Sequence, residues 1–274
     1  MIAPGEQWCA QIDVTNACPR ECSNCTRLVG HGPVFYMKID QFAEAVEAMK
    51  DFPEESPPSK AADFKLVGII GGEPLMHPRF GEILGVLADK IPARRSRGLW
   101  TGLEWRRTKH ASQIREVFDE RGIHNNRHDL KKSLHSPVLV ASRDVIRDPI
   151  ERTAVIEKCW LQQKWSGTIT PKGHFFCEVA GALDWVFEGP GGLPVVPGCW
   201  ARPLVDFQSQ VDRWCQQCGI ALNLEGRDAS EGNDDITTSN LAALRQSPRI
   251  QAGRYVLRSS RDCGAIANPW EYLA

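Results

Sequence analysis

The sequence predicts an α/β protein, a partial barrel of βα units followed by a cysteine-rich C-terminal extension. Three observations predict it. Strand-length apolar runs alternate with amphipathic helix-length segments through residues 1–150. One of those runs ends in Gly71-Gly72, as a buried parallel strand does at its turn. Ten cysteines are present, and most are clustered rather than scattered.

The elements follow in order. Residues 7–14 read as a strand, and residues 38–51 as a helix with Phe42, Val46 and Met49 on one face. Residues 51–62, rich in Pro, Ser and Glu, read as a loop. Residues 64–70 form the apolar run before the Gly pair. Residues 78–91 read as a helix with Phe80, Ile83, Leu84 and Leu87 apolar. Residues 98–101 give a third strand and residues 109–121 a third helix, with further strands expected at 122–126 and 137–141. Repeated βα units imply a parallel sheet with right-handed crossovers. A complete eight-fold barrel takes about 250 residues, so the first 150 suit only part of one. From residue 151 onward Gly, Pro and Trp rise and the alternation fades, which divides the chain into 1–150 and 151–274. In the second part, residues 167–177 read as a hairpin turning at Pro171-Lys172-Gly173, and residues 228–235 as an acidic loop.

Composition excludes several classes. With 33 Lys+Arg against 34 Asp+Glu, the chain is neither a basic nucleic-acid coat nor a polybasic membrane binder. No apolar run approaches the roughly 18 residues of a membrane helix. Residues 1–5 show no charged n-region or apolar h-region, so the expected location is the cytoplasm, with no membrane partner. Reducing compartments disfavour structural disulfides, so clustered cysteines there read as metal ligands.

Cys18-Pro-Arg-Glu-Cys22-Ser-Asn-Cys25 is a CxxxCxxC run directly after the first strand. Three thiolates on one short loop can hold three irons of a [4Fe–4S] cube and leave the fourth iron open. A zinc knuckle is the competing reading, although zinc usually takes CxxC pairs and four protein ligands. Gly71-Gly72-Glu73-Pro74 ends the second strand. Glycines there permit close backbone approach, and Glu73 is an acceptor-only carboxylate able to hold an ammonium. In a βα barrel both motifs lie on the C-terminal rim.

On these residues the chain resembles the radical S-adenosylmethionine (SAM) superfamily over roughly residues 1–150. The resemblance implies a partial (βα)-barrel of radical SAM type. Cys18, Cys22 and Cys25 would bind a [4Fe–4S] cluster whose open iron chelates SAM. Gly71, Gly72, Glu73 and Pro74 would hold the SAM ammonium, with Thr101 and Ser142 as further polar contacts. Where the family often has an aromatic residue, this chain has Asn24, whose backbone would face adenine. An electron from a donor such as flavodoxin or ferredoxin would cleave SAM to a 5′-deoxyadenosyl radical, which abstracts a substrate hydrogen. The outcome would be of oxidoreductase or isomerase type.

Cys159 is followed by 13 residues, Gly173, three residues and Cys177, and Cys215-Gln-Gln-Cys218 closes the set. This is similar to the twitch extension, a shortened SPASM domain, and implies a second, auxiliary [4Fe–4S] cluster. Four thiolates equally suit a structural zinc. Cys9 reads as an inert buried thiol. Cys199 is a candidate auxiliary ligand or hydrogen donor, and Cys263 has no assigned role.

Residues 90–132 carry 12 Lys/Arg against five Asp/Glu. Arg106 and Arg107 follow the third strand, and arginine pairs suit phosphate or carboxylate. That points to a small anionic substrate, a nucleotide or a base within nucleic acid, with peptides and aminocyclitols or sugars as alternatives. His110, His124, His128 and His135 read as structural. Two other classes compete: a non-catalytic zinc-stabilised binding module, and an electron-transfer protein with Cys9 as fourth ligand at the first site.

Overall fold

The computed structural model describes residues 1–58, 64–126 and 133–259. Its main sheet contains β1 (Cys9–Thr15), β2 (Leu66–Gly71), β3 (Arg97–Thr101), β4 (Ile123–Asn125), β6 (Ser166–Thr170) and β7 (Gly173–Phe175), in the order β4-β3-β2-β1-β6-β7. All neighbours are parallel except the β6–β7 hairpin at the edge. The sheet is wound in one direction from β1 to β4 and then crosses back to place β6 beside β1. The protein is therefore a mixed α/β fold on a parallel sheet.

Register explains the core. Ile169, Ile12, Ile69, Leu99 and Ile123 pair in one row across five strands. That row packs into the layer formed by the helices Ile39–Met49, Phe80–Lys90 and Ala111–Val117. The helices bury the side chains their spacing predicts, including Phe42, Val46, Phe80, Ile83, Leu84 and Leu87. β1 alternates, so Ala10, Ile12 and Val14 join the helix-side core. Gln11, Asp13 and Thr15 occupy the other face and are buried as well. The second core lies against that face. It holds Phe175 and Phe176 with the helices Glu178–Val186 and Gln208–Trp214.

Two small sheets complete the fold. β5 (Leu134–His135) pairs antiparallel with β8 (Arg227–Asp228), and β9 (Asp234–Ile236) pairs parallel with β10 (Tyr255–Leu257). Residues 137–141 are not a strand of the main sheet. Their backbone is spent on the second half: Val138 O accepts from Gly219 N–H at 3.0 Å, and Ala141 N–H donates to Thr237 Oγ1 at 3.0 Å. Residues 228–235 are also not an open acidic loop. Asp234 and Asp235 are buried in β9 and paired with Arg249, Arg227 and Arg258. The loop expected at 51–62 contains a short helix, Phe52–Glu55, and its last residues lie outside the described ones. The helix Pro149–Glu157 spans the expected boundary at 150, and β6 and β7 beyond it share the sheet with β1. Among the described residues no helix is long and apolar enough to cross a membrane.

Candidate functional site

The C-terminal ends of β1, β2 and β3 come together around two motifs. The loop after β1 carries Cys18, Cys22 and Cys25, and the turn after β2 carries Gly71–Pro74. Gly72 N–H donates to Thr15 O at 2.7 Å and Glu73 N–H to Ala17 O at 2.8 Å, which joins the motifs backbone to backbone. The glycines make this approach possible. Gly71 has φ +154°, and a Cβ there would run into Thr15 O. A Cβ on Gly72 would stand 2.6 Å from Ala17 O. The close approach is thus to the cysteine loop's own backbone.

Glu73 is 1% exposed. Its carboxylate accepts from Thr101 Oγ1 at 2.7 Å, Gly102 N–H at 2.8 Å and Leu75 N–H at 3.2 Å. Burial pushes its carboxyl up, and these donors pull it back. Thr101 is thereby committed to orienting Glu73. Cys18 Sγ accepts Arg20 N–H at 3.4 Å. Burial pushes the Cys18 thiol up to about 12, with Cys25, Glu73 and Cys22 near enough to add to the rise. Burial raises Cys22 and Cys25 as well. Such thiols hold their protons until a cation displaces them.

The cysteine loop has no regular structure, and the second half fixes it. Asn24 sits at φ +49°, a conformation asparagine tolerates. Its N–H donates to Asp234 Oδ1 at 2.6 Å, its Nδ2 to Asp235 Oδ2 at 2.8 Å, and its Oδ1 accepts Asp235 N–H at 2.8 Å. Arg249 reaches Asp234 Oδ2 at 2.6 Å and Cys22 O at 3.2 Å, and His31 reaches the same Asp234 oxygen at 2.8 Å. Asn24 is thus a pin between the halves, with its N–H already used. Composition gave no hint of Asp234 or Arg249 at this loop.

Cys159, Cys177, Cys215 and Cys218 line one apolar cavity together with Phe176, Leu183 and Trp214. Burial pushes Cys218 up to about 12 and raises the other three. Ile220 N–H donates to Cys218 Sγ at 3.5 Å. Ser142 belongs to this region, since its hydroxyl donates to Cys215 O at 2.8 Å. Both cysteine sets are free thiols. Among the described residues, no three ligating side chains converge at the distance of a single metal ion. By donor chemistry the soft sulfurs of both sets are of the kind an iron–sulfur group takes.

Other expected residues lie elsewhere. Cys199 is buried in the helix-side core next to Trp200. Arg106 pairs with Glu120 at 3.4 Å and covers the Trp105 ring at 4.6 Å, half exposed; Arg107 is exposed. His110 lies edge-on to Phe80. His124 stacks on Trp100 and is lowered by burial to about 4, and His135 Nδ1 lies 2.8 Å from Ser23 O. Cys263 and His128 fall outside the described residues.

No family model matches the chain, and no curated protein matches it. Among solved structures, the crystal structure of BtrN in complex with AdoMet and 2-DOIA covers 77% of this chain and 88% of its own, at 15% identity and a TM-score of 0.42. At those values the function of this chain rests on its own residues.

Proposed function

We propose that the chain is a radical SAM enzyme, with Cys18, Cys22 and Cys25 holding three irons of a [4Fe–4S] cluster and with SAM on the open iron. When bound, that cluster supplies the electron that splits SAM into methionine and the 5′-deoxyadenosyl radical that takes a substrate hydrogen. The supporting observation is the backbone lock between the CxxxCxxC loop and the Gly71–Pro74 turn, which sets Glu73 near Cys18. The lock lies at the C-terminal edge of a parallel sheet, where βα proteins carry their sites.

The chain's own residues have defined tasks. Glu73 has about four acceptor positions, of which Thr101, Gly102 and Leu75 fill three, leaving one for an ammonium. Thr101 and Gly102 keep the carboxylate from turning away. Asn24, Asp234 and Arg249 hold the loop so that its thiolates are presented together. Cys159, Cys177, Cys215 and Cys218 would hold a second cluster in a water-poor cavity. A flavodoxin or ferredoxin would be the electron donor, in the cytoplasm. The reaction type is a hydrogen abstraction leading to oxidation or rearrangement.

The test is anaerobic reconstitution followed by metal analysis and dithionite-driven SAM cleavage. About eight irons per chain and 5′-deoxyadenosine are expected. Zinc in both sites with almost no iron would assign the chain to the metal-stabilised binding modules instead.

A further inference from the structure

Arg27 lies two residues after Cys25, and Glu178 directly follows Cys177. A buried ion pair joins them across 151 residues of chain, with Arg27 Nη2 donating to Glu178 Oε2 at 3.2 Å. The two residues are 7% and 8% exposed. One contact thus links side chains that flank a cysteine of each set. Each end is also tied to its own thiol. The Arg27 amide donates to the Cys25 sulfur, and the Ala180 amide, in the helix Glu178–Val186, donates to the Cys177 sulfur. The sheet braces the pair. Arg27 Nη2 donates to Gln11 on β1 at 2.5 Å, and Ser166 on β6 donates to the same Glu178 oxygen at 2.7 Å. Asp13 Oδ1 stands 3.6 Å from Arg27 Nε, and beside both is a cavity with room for about one water. The Arg27 charge interacts with Cys25 and with Cys177.

We propose that Arg27 is a positioning residue shared by the two cysteine sites, and that its buried charge, held by Glu178, sets the reduction potential of the clusters at both. Arginine keeps its proton in proteins, so the charge is fixed. Inside the fold it is screened far less than at the surface. Thiolate-bound clusters gain negative charge on reduction, and nearby net charge is one of the terms that set their potential. A cation within reach of both sets therefore makes reduction easier at both. Glu178 opposes it from the second set's side, and Asp13 from β1. Loss of Arg27 would leave these two carboxylates facing the sulfurs with no cation between them, so both potentials would fall. Loss of the Glu178 charge would raise both. A brace without electrical effect would change stability and leave the potentials where they are. The inference rests on the radical SAM reading for the identity of the clusters, and on the ion pair itself for the coupling.

The experiment is a redox titration of the anaerobically reconstituted full chain, followed by electron paramagnetic resonance. Added SAM changes the spectrum of the first cluster and so assigns the two signals. Arg27→Met should shift both midpoint potentials to more negative values. Glu178→Gln should shift both the other way, and it decides the matter if the Arg27→Met chain does not fold. Arg27→Lys keeps the charge and loses the planar fork, so it should melt earlier while its potentials stay near those of wild type. Potentials that ignore Arg27→Met and Glu178→Gln, a shift at one site alone, or shifts of the same sign in both variants would overturn the proposal. Metal content of the wild-type preparation separates this idea from the radical reading. Iron at both sites with unmoved potentials keeps the radical reading and discards the coupling. Zinc in place of iron discards the radical reading, and the coupling is then read by competition with EDTA. Arg27→Met should then release zinc from both sites at lower chelator concentration than wild type, and release from one site alone would overturn the proposal.

Discussion

Cys18, Cys22 and Cys25 come from one stretch of eight residues, whereas Cys159, Cys177, Cys215 and Cys218 are gathered from three separate parts of the chain. The first set lies on an irregular loop, partly exposed, beside the carboxylate of Glu73 and held by hydrogen bonds and ion pairs from β9 and Arg249. The second set lines an apolar cavity among Phe176, Leu183 and Trp214. The donors are identical and the surroundings are opposite. A loop held by polar pins can remain open to a small ligand without collapsing. A cavity walled by aromatic and aliphatic side chains excludes water and depends on whatever fills it.

The largest expected effect breaks that contrast directly. Cys18, Cys22 and Cys25 changed together to Ala should reduce iron from about eight to about four per chain and abolish SAM cleavage. The fold should survive, because the loop is pinned independently of metal. Cys159, Cys177, Cys215 and Cys218 changed together should also lose about four irons, but should lower the melting temperature, by roughly 2–4 °C for each kcal/mol lost. Equal loss of stability from both sets, read by circular dichroism, would erase the distinction.

Glu73→Gln comes next. A charge-assisted hydrogen bond contributes roughly 1.5–3 kcal/mol, so SAM affinity should fall about 10- to 100-fold. The structure adds a second consequence. An amide has one oxygen, so Thr101 Oγ1 or Gly102 N–H loses its acceptor, and the variant should melt earlier as well. Unchanged affinity with lowered stability would leave Glu73 as a purely structural brace. Asn24→Ala then tests the polar pins. It orphans Asp235 N–H at a cost of about 1–3 kcal/mol and puts alanine in the left-handed region at about 1 kcal/mol more. Urea denaturation should show that loss. Iron loading should fall only at the first site, since none of the residues described as lining the second cavity lies on that loop.

What the sequence revealed followed from periodicity and spacing. The row from Ile169 to Ile123 and the helix faces of Phe42 and Phe80 follow from local alternation. The cysteine loop after β1 is legible from spacing because its three thiols sit within eight consecutive residues, whereas the cavity lined by Cys159, Cys177, Cys215 and Cys218 joins three separate stretches. The strand expected at 137–141 failed because its partners, Gly219 and Thr237, lie about 80 to 100 residues away, where no local pattern reports them. The same distance hid Arg249, and Asp234, which reads as part of an acidic loop over 228–235. Ser142 and Thr101 were singled out for a ligand, and each has a protein partner, Cys215 and Glu73. Asp13 and Gln11 carry a sign legible in the sequence. In β1 they alternate with Ala10, Ile12 and Val14, which marks a polar face on a strand too central to be solvated.

The smallest effect concerns that polar face of β1. Burial raises the Asp13 carboxyl from 3.8 to about 6, opposed by Arg27 and assisted by Glu178. Below pH 4 folded and unfolded chains both hold the proton, and the stability of the neutral form is fully present. As pH rises from 4 to 6 the unfolded chain releases the proton first, so wild-type stability falls and is lost through the folded pKa. Two pKa units correspond to no more than about 3 kcal/mol, and the Arg27 ion pair sets the remainder. Asp13→Asn has no proton to lose and nearly the same shape. It should match wild type near pH 4 and exceed it above pH 6, measured by urea denaturation across that range. Such a gain would mean that the ionised carboxylate is kept at a cost to the fold. A variant no more stable at pH 8 than at pH 4, relative to wild type, would instead make Asp13–Arg27 a settled ion pair.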